Sequence, residues 1–377
     1  MTFLPQFDNI YFNVVFIAFC AVAFVHLLYV LVIHGRMAFH KPFPQVDNSK
    51  LPPVSIIIAA RNESENLYDN LPFIMDQDYP EFEVIIVNNQ STDDSAWLLV
   101  AFQRMHPNIR VVEIGKNKHL RPGKKLPLTL GIKAAKYEHF VLTDADCKPS
   151  SRNWLKWMAS GFNQKEIVLG YAPFEKEKGF TNRLLRFDAA WIGVSYLSMA
   201  LSRMPYMGVG RNMAYSRKVF EEVKGFKSHY SIPSGDDDLF IQQAAKKRNY
   251  IVQFNPESYC LSPAAPSFQR WIYQKSRHYT TTPRYSFFKK IMLGIYPSTL
   301  LLMYALFTAT MFKFDFQIVA GATLFVVILT KWWIQGRCLN KLNEKGFAKF
   351  FPFWDLFYAI LIPVIFYFTE RQKKNRW

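Results

Sequence analysis

Long apolar runs stand at both ends of the chain, and shorter ones alternate with polar stretches in its middle. Residues 11–33 are almost continuously hydrophobic and are long enough to cross a bilayer as a helix. No basic region precedes this run and no small-residue cleavage site follows it, which favours a retained anchor over a signal peptide. Three more apolar segments lie late in the chain, at residues 291–312, 316–334 and about 350–368. The pattern predicts a membrane anchor within residues 1–40 and a C-terminal membrane region at 291–377 with two or three hydrophobic helices.

The hydrophobic pattern of the central region alternates between the spacing of strands and the spacing of helices. Apolar, β-branched runs predict strands, and the stretches between them have the spacing of helices. This alternation is typical of βαβ units, so an α/β domain with a mostly parallel sheet is predicted over residues 50–265. The predicted strands are residues 54–60, 82–87, 109–114 and 140–142, and the predicted helices lie near 66–75, 94–105 and 125–136.

Polar residues follow several of these strands at the point where each strand ends. Open parallel sheets bind ligands beyond the carboxyl ends of their strands, so we expect these residues to share one crevice. They are Arg61, Asn62 and Glu63 after the first strand, Asn88 and Asn89 after the second, and Asp144 and Asp146 after the fourth.

Asp144 and Asp146 are two residues apart, and side chains at that spacing share a face in extended backbone. Neighbouring carboxylates repel each other unless a cation or hydrogen-bond donors lie between them. Mg²⁺ and Mn²⁺ take oxygen ligands of this kind and often share them with substrate phosphates. The alternative is an ordinary turn, because the residues that follow also suit loops. The rest of the chain favours the metal site.

A basic segment, residues 116–125, lies between the third and fourth predicted strands. One interpretation is a diphosphate clamp, in which Gly123 lets the backbone come close and Lys124 neutralises phosphate charge. The other is a solvated basic loop, which is common in a cationic protein.

Three consecutive carboxylates, Asp236, Asp237 and Asp238, are predicted to open a helix that continues to about residue 248. Helix chemistry alone would account for one or two of them, with Ser234 as the cap and acids complementing the dipole. Three in a row repel one another, which favours a functional explanation.

Residues 266–290 form a basic, aromatic stretch with an amphipathic pattern. It contains Gln274, Arg277 and His278. An interfacial helix resting on a membrane and a ligand-binding segment are both compatible with this pattern.

The formal charge of +17 would suit a nucleic-acid partner, but no nucleic-acid-binding module is recognisable and none is expected. Basic residues instead flank the apolar segments, which under the positive-inside rule predicts an integral membrane protein whose central region faces the cytoplasm. Pro363 and Asp355 interrupt the last apolar segment, so three or four spans are expected. The four cysteines lack paired or metal-type spacing, which argues against a disulfide scaffold or a zinc site.

These motifs together resemble the membrane-bound family 2 glycosyltransferases, which have a GT-A fold and include ceramide glucosyltransferases and polysaccharide synthases. The resemblance spans about residues 52–285 and depends on the order and spacing of the motifs between membrane segments. The motifs are residues 60–63, 88–93, 123–124, 144–146, 210–214, 235–238 and 274–278.

The resemblance implies a role for each motif. Asp146 would bind Mg²⁺ or Mn²⁺, with Asp144 near the metal or the nucleotide ribose. Asp237 aligns with the catalytic base, and Asp236 lies beside it. The implied donor-binding residues are Arg61, Glu63, Asn88, Lys124, Asp144, Gln274 and Arg277, and the implied acceptor-binding residues are Gly210, Arg211, Asn212 and His278.

Two departures from the family pattern bear on function. Asn88 and Asn89 stand where the family usually has an Asp that recognises the base, although an amide can still hydrogen-bond a uracil edge. His278 replaces the Trp that helps polysaccharide synthases hold a growing chain, which argues against processive synthesis.

The resemblance therefore implies a metal-dependent, inverting hexosyltransferase. It would move a sugar from a nucleotide-diphosphate sugar, with a UDP-sugar favoured, to a membrane-associated acceptor, with a lipid favoured. The alternatives are a processive polysaccharide synthase and a non-catalytic membrane protein that binds nucleotide sugars.

Overall fold

The computed structural model describes residues 10–41, 43, 47–117, 123–246 and 248–374. Among these, residues up to His40 and from Ser286 onward form one compact unit, and Lys41–Tyr285 form another. We call the first the helical unit and the second the sheet unit.

The sheet unit is built around strands whose bounds follow the apolar runs of the sequence. The first and third predicted strands are confirmed at both ends. The second and fourth each continue two residues further into their polar ends, and the fourth also begins one residue earlier than predicted. The strands are β1 Val54–Ala60, β2 Phe82–Asn89, β3 Ile109–Ile114, β4 His139–Asp144, β5 Lys148–Pro149, β6 Ile167–Gly170, β7 Met213–Ser216, β8 Tyr250–Gln253 and β9 Cys260–Leu261.

Within the described residues, seven strands form one sheet in the order β3-β2-β1-β4-β7-β6-β8, and β5 pairs with β9 separately. The first four strands are parallel, β7 is antiparallel to both of its neighbours, and β6 is parallel to β8. The predicted α/β fold with a mostly parallel sheet is confirmed.

Helices cover the sheet and bury their apolar faces against it. Gly131 shows how closely they pack, because a Cβ added there would lie 2.8 Å from Cγ2 of Ile57 in β1. The α-helices of the chain are α1 Ile10–Ala38, α2 Ser64–Met75, α3 Ser95–Met105, α4 Lys125–Ala134, α5 Trp154–Ala159, α6 Phe180–Leu201, α7 Arg217–Glu222, α8 Asp238–Ala244, α9 Phe268–His278, α10 Phe287–Thr310, α11 Phe314–Lys341, α12 Lys345–Lys349 and α13 Phe351–Lys374. Helix α1 contains a π-helical turn at Val30–His34.

The helical unit comprises α1 and α10 to α13. Its helices α1, α10 and most of α11 are long and apolar enough to cross a membrane, as is α6 of the sheet unit. Helix α6 differs from the other three because two thirds of its most apolar window is buried and its Asp188 forms a buried ion pair with Lys275. We therefore interpret α6 as a core helix of the sheet unit.

Inside the helical unit, Lys331 of α11 and Asp355 of α13 form an ion pair of 2.6 Å, and both side chains are buried. Asp355 was one of the residues expected to interrupt the last apolar segment, but α13 is continuous through Asp355 and Pro363. The carboxylate is accommodated because a partner neutralises it within the helix packing.

Candidate active site

Three of the parallel strands bring their polar ends to one edge of the sheet. Ala59 of β1 pairs with Asp144 of β4, and Ala60 pairs with Asn88 of β2. This register places the ends of β1, β2 and β4 side by side, as the sequence predicts for a ligand crevice.

A group of carboxylates surrounds Lys124 at this edge. The Lys124 ammonium lies 2.5 Å from Oδ2 of Asp144. Burial lowers the pKa of Lys124, but the charges of Asp144, Asp236 and Asp146 outweigh that effect and raise it. Burial raises the pKa of Glu63, and the charges of Asp146 and Asp144 add to this increase. Glu63, Lys124, Asp144, Asp146 and Asp236 are therefore close enough to interact electrostatically, with Lys124 at the centre.

The backbone at the carboxylate pair differs from the extended form that the sequence predicts. Strand β4 ends at Asp144, and Ala145 and Asp146 form a turn in which the Cys147 amide donates to the Asp144 carbonyl at 3.1 Å. A turn, rather than the pleat of a strand, therefore sets the positions of the two side chains.

The donor set at this position fits a hard divalent ion. Among the described residues, no group of three or more His, Cys, Asp or Glu side chains is preassembled around one point. Mg²⁺ commonly uses only one or two protein carboxylates and takes its other ligands from substrate phosphates and water. Asp146 and Asp144 supply carboxylates of that kind, so the chemistry of the residues present fits the predicted ion.

Gly123 and Lys124 lead into α4. Gly123 has φ of +142°, which a residue with a side chain rarely adopts, and an added Cβ would lie 3.2 Å from the Pro233 carbonyl oxygen. The close approach that Gly123 permits is thus to another loop of the chain. Residues 118–122 of the predicted basic clamp lie outside the described residues.

Asp237 is the N-cap of α8, which begins at Asp238. Its Oδ1 accepts from the Asp238 amide at 2.7 Å, and its Oδ2 accepts from the Gly210 amide at 3.3 Å. The helix therefore begins after the predicted opening at Asp236, and its cap is Asp237 rather than Ser234, the cap of the helix-only interpretation. The helix starts later because the Asp237 carboxylate itself binds the first free amide.

The environment of Asp237 favours its neutral form more than the sequence predicts. Burial and the charges of Asp236 and Asp238 raise the pKa of Asp237 to about 8, and the two amide hydrogen bonds oppose only part of this. The raised pKa therefore opposes ionisation of Asp237 at neutral pH. Burial also raises the pKa of Asp236, while the charge of Lys124 lowers it. A group with a pKa near neutrality can both accept and release a proton.

Gly210 lies directly against this acid pair. An added Cβ at Gly210 would be 3.6 Å from Oδ2 of Asp236 and 3.7 Å from Cβ of Asp237. The predicted acceptor-side glycine and the predicted base are therefore neighbours in space, although 26 residues of sequence lie between them.

The two residues that follow Gly210 are held by hydrogen bonds to other segments of the protein. Arg211 donates to Ser262 and, at 3.0 Å, to the Ala172 carbonyl. Asn212 is fully buried; its amide donates at 2.8 Å to two backbone carbonyls and its oxygen accepts from Trp154 Nε1 at 2.9 Å. These contacts fix the segment that follows Gly210.

The third carboxylate, Asp238, is buried and links α8 to the segment after α9. Its Oδ2 accepts hydrogen bonds from Thr281 at 2.5 Å and from the Tyr285 hydroxyl at 2.7 Å. Thr281 and Tyr285 were not among the predicted site residues. Since the contact spans more than forty residues, no local spacing in the sequence indicates it.

Lys125 ends the predicted basic segment 116–125 but was given no role of its own. Its ammonium is buried and donates at 2.7 Å to the carbonyls of His229, Ile232 and Ser234. These carbonyls lie in the loop that leads to Asp236. The two adjacent lysines therefore have different partners. Lys124 interacts with carboxylates, whereas Lys125 donates to backbone carbonyls of the loop that leads to Asp236.

Helix α9 carries Gln274, Arg277 and His278 and is anchored by Trp271 and Lys275. The buried carboxylate of Asp188 in α6 accepts from Trp271 Nε1 at 3.1 Å and forms an ion pair with Lys275. Desolvation and the charges of Lys275 and Arg277 lower the pKa of His278 to about 4, so this side chain is neutral near pH 7. Helix α9 begins at Phe268 and ends at His278, within the predicted stretch 266–290.

Asn88 is buried and donates from Nδ2 to Glu113 at 3.2 Å, while its Oδ1 has no hydrogen-bond partner among the described residues. Arg61, by contrast, is exposed at the end of β1. The structure thus places Arg61, Glu63, Asn88, Lys124, Asp144 and Asp146 on the strand ends and the loops beside them.

Comparison with known proteins agrees with this architecture. A mannosyltransferase of Pyrobaculum calidifontis, solved in complex with GDP-Man and Mn²⁺, superposes with a TM-score of 0.54 and 21% sequence identity. The alignment covers 90% of this chain and 99% of that one. The fold is therefore the GT-A glycosyltransferase fold, as predicted.

The family model described as glycosyl transferase family 21 matches residues 15–370. The chain belongs to that family. The predicted relationship to GT-A glycosyltransferases is confirmed, although the matching family is family 21 rather than family 2.

Curated relatives match over shorter segments. A poly-beta-1,6-N-acetyl-D-glucosamine synthase of Staphylococcus epidermidis is 33% identical over 111 residues, which are 28% of this chain and 26% of the relative. A poly(ribitol-phosphate) beta-glucosyltransferase of Bacillus spizizenii is 31% identical over 133 residues, which are 34% of this chain and 20% of the relative. The matched segment thus spans about a quarter of the length of these relatives or less.

Proposed function

We propose that this protein is an inverting glycosyltransferase. It would move a sugar from a nucleotide-diphosphate sugar to a hydroxyl of a membrane-associated acceptor, with a lipid favoured. The observation that carries the proposal is the position of Asp237, whose carboxylate is held by the Gly210 and Asp238 amides beside Asp236. Through Lys124, Asp236 is coupled to the carboxylates at the strand ends.

The strand-end group is assigned to the donor. Lys124 and Arg61 would face the diphosphate, while Asp146 and Asp144 would hold Mg²⁺ or Mn²⁺. Such an ion would supply positive charge to the leaving nucleoside diphosphate. The fold relative with bound GDP-Man and Mn²⁺ supports this assignment. Asn88 is assigned to the nucleotide base, because its Oδ1 is a buried acceptor without a hydrogen-bond partner among the described residues.

Asp237 is assigned as the general base. Its carboxylate would take the proton of the acceptor hydroxyl as the oxygen attacks the anomeric carbon on the face opposite the diphosphate. The bond between the anomeric carbon and the diphosphate oxygen breaks, and the electron pair leaves with the nucleoside diphosphate. A single displacement of this kind inverts the anomeric configuration.

Arg277 and Gln274 are assigned to the leaving diphosphate and the acceptor. Helix α9 holds them through Trp271 and Lys275, both bound to Asp188. The neutral form of His278 would accept or donate a hydrogen bond without adding charge near the acceptor.

The acceptor is assigned to the membrane because the same chain carries several helices long and apolar enough to span a bilayer. Basic residues after the first apolar segment and before the second favour a cytoplasmic position for the sheet unit under the positive-inside rule. Impermeant thiol labelling of intact cells tests this orientation. A cysteine introduced at exposed Glu65 should stay unlabelled until the cells are opened, and labelling of intact cells would contradict it.

One observation favours a second function, a processive polysaccharide synthase. It is the 33% identity to a poly-beta-1,6-N-acetyl-D-glucosamine synthase over 111 residues. His278, in place of the Trp of the processive enzymes, favours a single addition.

The decisive experiment is a donor screen with the purified full chain in lipid vesicles. Radiolabelled UDP-, GDP- and other nucleotide sugars are supplied with vesicle lipids, and product size is read by chromatography. One sugar per lipid acceptor supports the proposal, and long chains support the synthase. Saturable donor binding without transfer or hydrolysis would support a non-catalytic binding protein.

A further inference from the structure

A pocket lies in the helical unit where α11 meets the short helix α12. It has a volume of about 520 Å³. We call it the basic–aromatic pocket and define it by Trp332, Trp333, Gly336, Arg337, Lys345 and Lys349. It belongs to the helical unit and is independent of the glycosyltransferase proposal.

Contacts within the unit hold the walls of the pocket in place. The Trp332 indole N–H donates to the Ala348 carbonyl at 2.8 Å and thereby fixes α12 against α11. The ring of Trp333 packs edge-on against Phe39 with centroids 5.5 Å apart, and the Arg337 guanidinium lies 5.0 Å from the same Phe39 ring. The pocket is therefore a formed feature of the packing.

The charge of the pocket is one-sided. Arg337, Lys345 and Lys349 are exposed, and within the described part of the chain none of them forms an ion pair with a carboxylate. Glu344, the neighbour of Lys345 in sequence, is buried and does not line the pocket. Three cations face a common space without a counter-charge, which is an arrangement that binds an anion.

The aromatic and apolar lining indicates what kind of anion would fit. Trp332 and Trp333 are exposed by 40% and 57%, and they lie in the last third of a helix long and apolar enough to span a bilayer. Tryptophan is enriched at the level of lipid headgroups, where its ring meets the acyl boundary and its N–H meets the polar zone. Basic residues at the same depth attract acidic lipids. A ligand that is anionic at one end and apolar at the other satisfies both parts of the lining.

We propose that the basic–aromatic pocket binds the phosphodiester headgroup of an anionic membrane lipid. The phosphate lies among Arg337, Lys345 and Lys349, and the glycerol and first acyl carbons lie along Trp332 and Trp333. Arg337 supplies a planar pair of donors to the phosphate, while the two lysines supply point charges.

The test uses the purified full chain in a neutral detergent. Short-chain phosphatidylglycerol is titrated against it, with binding followed by native mass spectrometry and by tryptophan fluorescence. Phosphatidylcholine of the same chain length and inorganic phosphate serve as comparison ligands. We expect saturable binding of one phosphatidylglycerol with an affinity at least about tenfold above that of phosphatidylcholine, because several basic groups act together.

Two kinds of variant locate the site. Arg337→Gln and Lys349→Gln should each weaken phosphatidylglycerol binding about fivefold. Lys290→Gln, which removes an exposed charge of the same unit outside the pocket, should leave binding unchanged. Gly336→Leu fills the pocket without changing its charge and should block binding, since an added Cβ meets nothing closer than 3.9 Å. Size-exclusion profiles and thermal midpoints establish that each variant is folded.

The proposal is overturned if the two lipids bind equally or if the folded Arg337 and Lys349 variants bind like the parent. Inorganic phosphate that binds as tightly as phosphatidylglycerol would also overturn it, because the pocket would then be a site for free phosphate.

Discussion

The donor side and the base side of the candidate active site are built in different ways. The donor side consists of the ends of β1, β2 and β4, which one parallel register aligns. The base side consists of Gly210, Asp237 and Asp238 with Thr281 and Tyr285, which come from three separated parts of the chain. A repeating strand pattern positions the donor side, whereas buried polar contacts position the base side.

The difference has consequences for robustness. A strand end is positioned by many backbone hydrogen bonds, so a side chain there can change with little effect on its neighbours. The base side depends on a few hydrogen bonds to buried carboxylates, and the loss of one partner leaves charge unsatisfied in the interior. We therefore expect substitutions on the donor side to change chemistry alone, and those on the base side to change position as well.

The largest expected effect is on the donor side. Asp146→Asn should reduce transfer by three or more orders of magnitude, since it removes an ionic ligand for the proposed Mg²⁺ or Mn²⁺. The control is Glu65→Gln, which neutralises an exposed acid on α2. Transfer is measured with radiolabelled donor, with and without EDTA, and thermal midpoints should not change. Full activity in EDTA would remove the metal from the proposal.

Asp237→Asn has the next largest expected effect. It keeps the volume of the side chain but removes the proton acceptor, so transfer should fall by about two to four orders of magnitude. Donor affinity, measured by calorimetry, should remain close to normal. Asp236→Asn is the matched variant and should be milder. If Asp236→Asn abolished transfer while Asp237→Asn remained active, Asp236 rather than Asp237 would be the general base.

The donor side could be predicted from sequence because its geometry is periodic. Apolar runs indicate the strands, and parallel order then places Arg61, Asn88 and Asp144 at one edge without knowledge of any other contact. The extended backbone expected at Asp146 gave way to the turn that was the alternative, because alternation predicts direction only while the strand continues.

The base side was predicted only in part. Resemblance to known motifs identified Asp237, but the start of α8 and the raised pKa of Asp237 depend on which carboxylates are buried beside it. Thr281 and Tyr285 carry no local signal, and the basic segment that contains Lys125 does not distinguish it from Lys124. The positions of all three follow from contacts between distant segments.

The raised pKa of Asp237 predicts a pH dependence that originates on the base side. A base must be ionised, so kcat/KM should fall about tenfold for each pH unit below the pKa of about 8. The folded chain also holds this proton more tightly than the unfolded chain. The free energy of unfolding should therefore decrease as pH rises from the ordinary Asp range towards about 8.

Rate profiles and denaturant titrations across this range test both statements. Asp237→Asn should abolish the pH dependence of the unfolding free energy that comes from this site. A kcat/KM profile that stays flat below about pH 8 would contradict the assignment.

The smallest expected effect tests whether the base side is held by its anchors. Tyr285→Phe removes the hydroxyl that donates to Asp238 at 2.7 Å and changes nothing else in the ring. Asp238 keeps its bond from Thr281, so the protein should stay folded while kcat falls about fivefold, the scale of one hydrogen bond. Donor affinity should not change, because the donor side is positioned by the sheet. Tyr273→Phe is the matched control, since that ring is half exposed on α9. Equal kcat in the two variants, or a loss of donor affinity in Tyr285→Phe, would show that the two sides are not built as separately as the structure indicates.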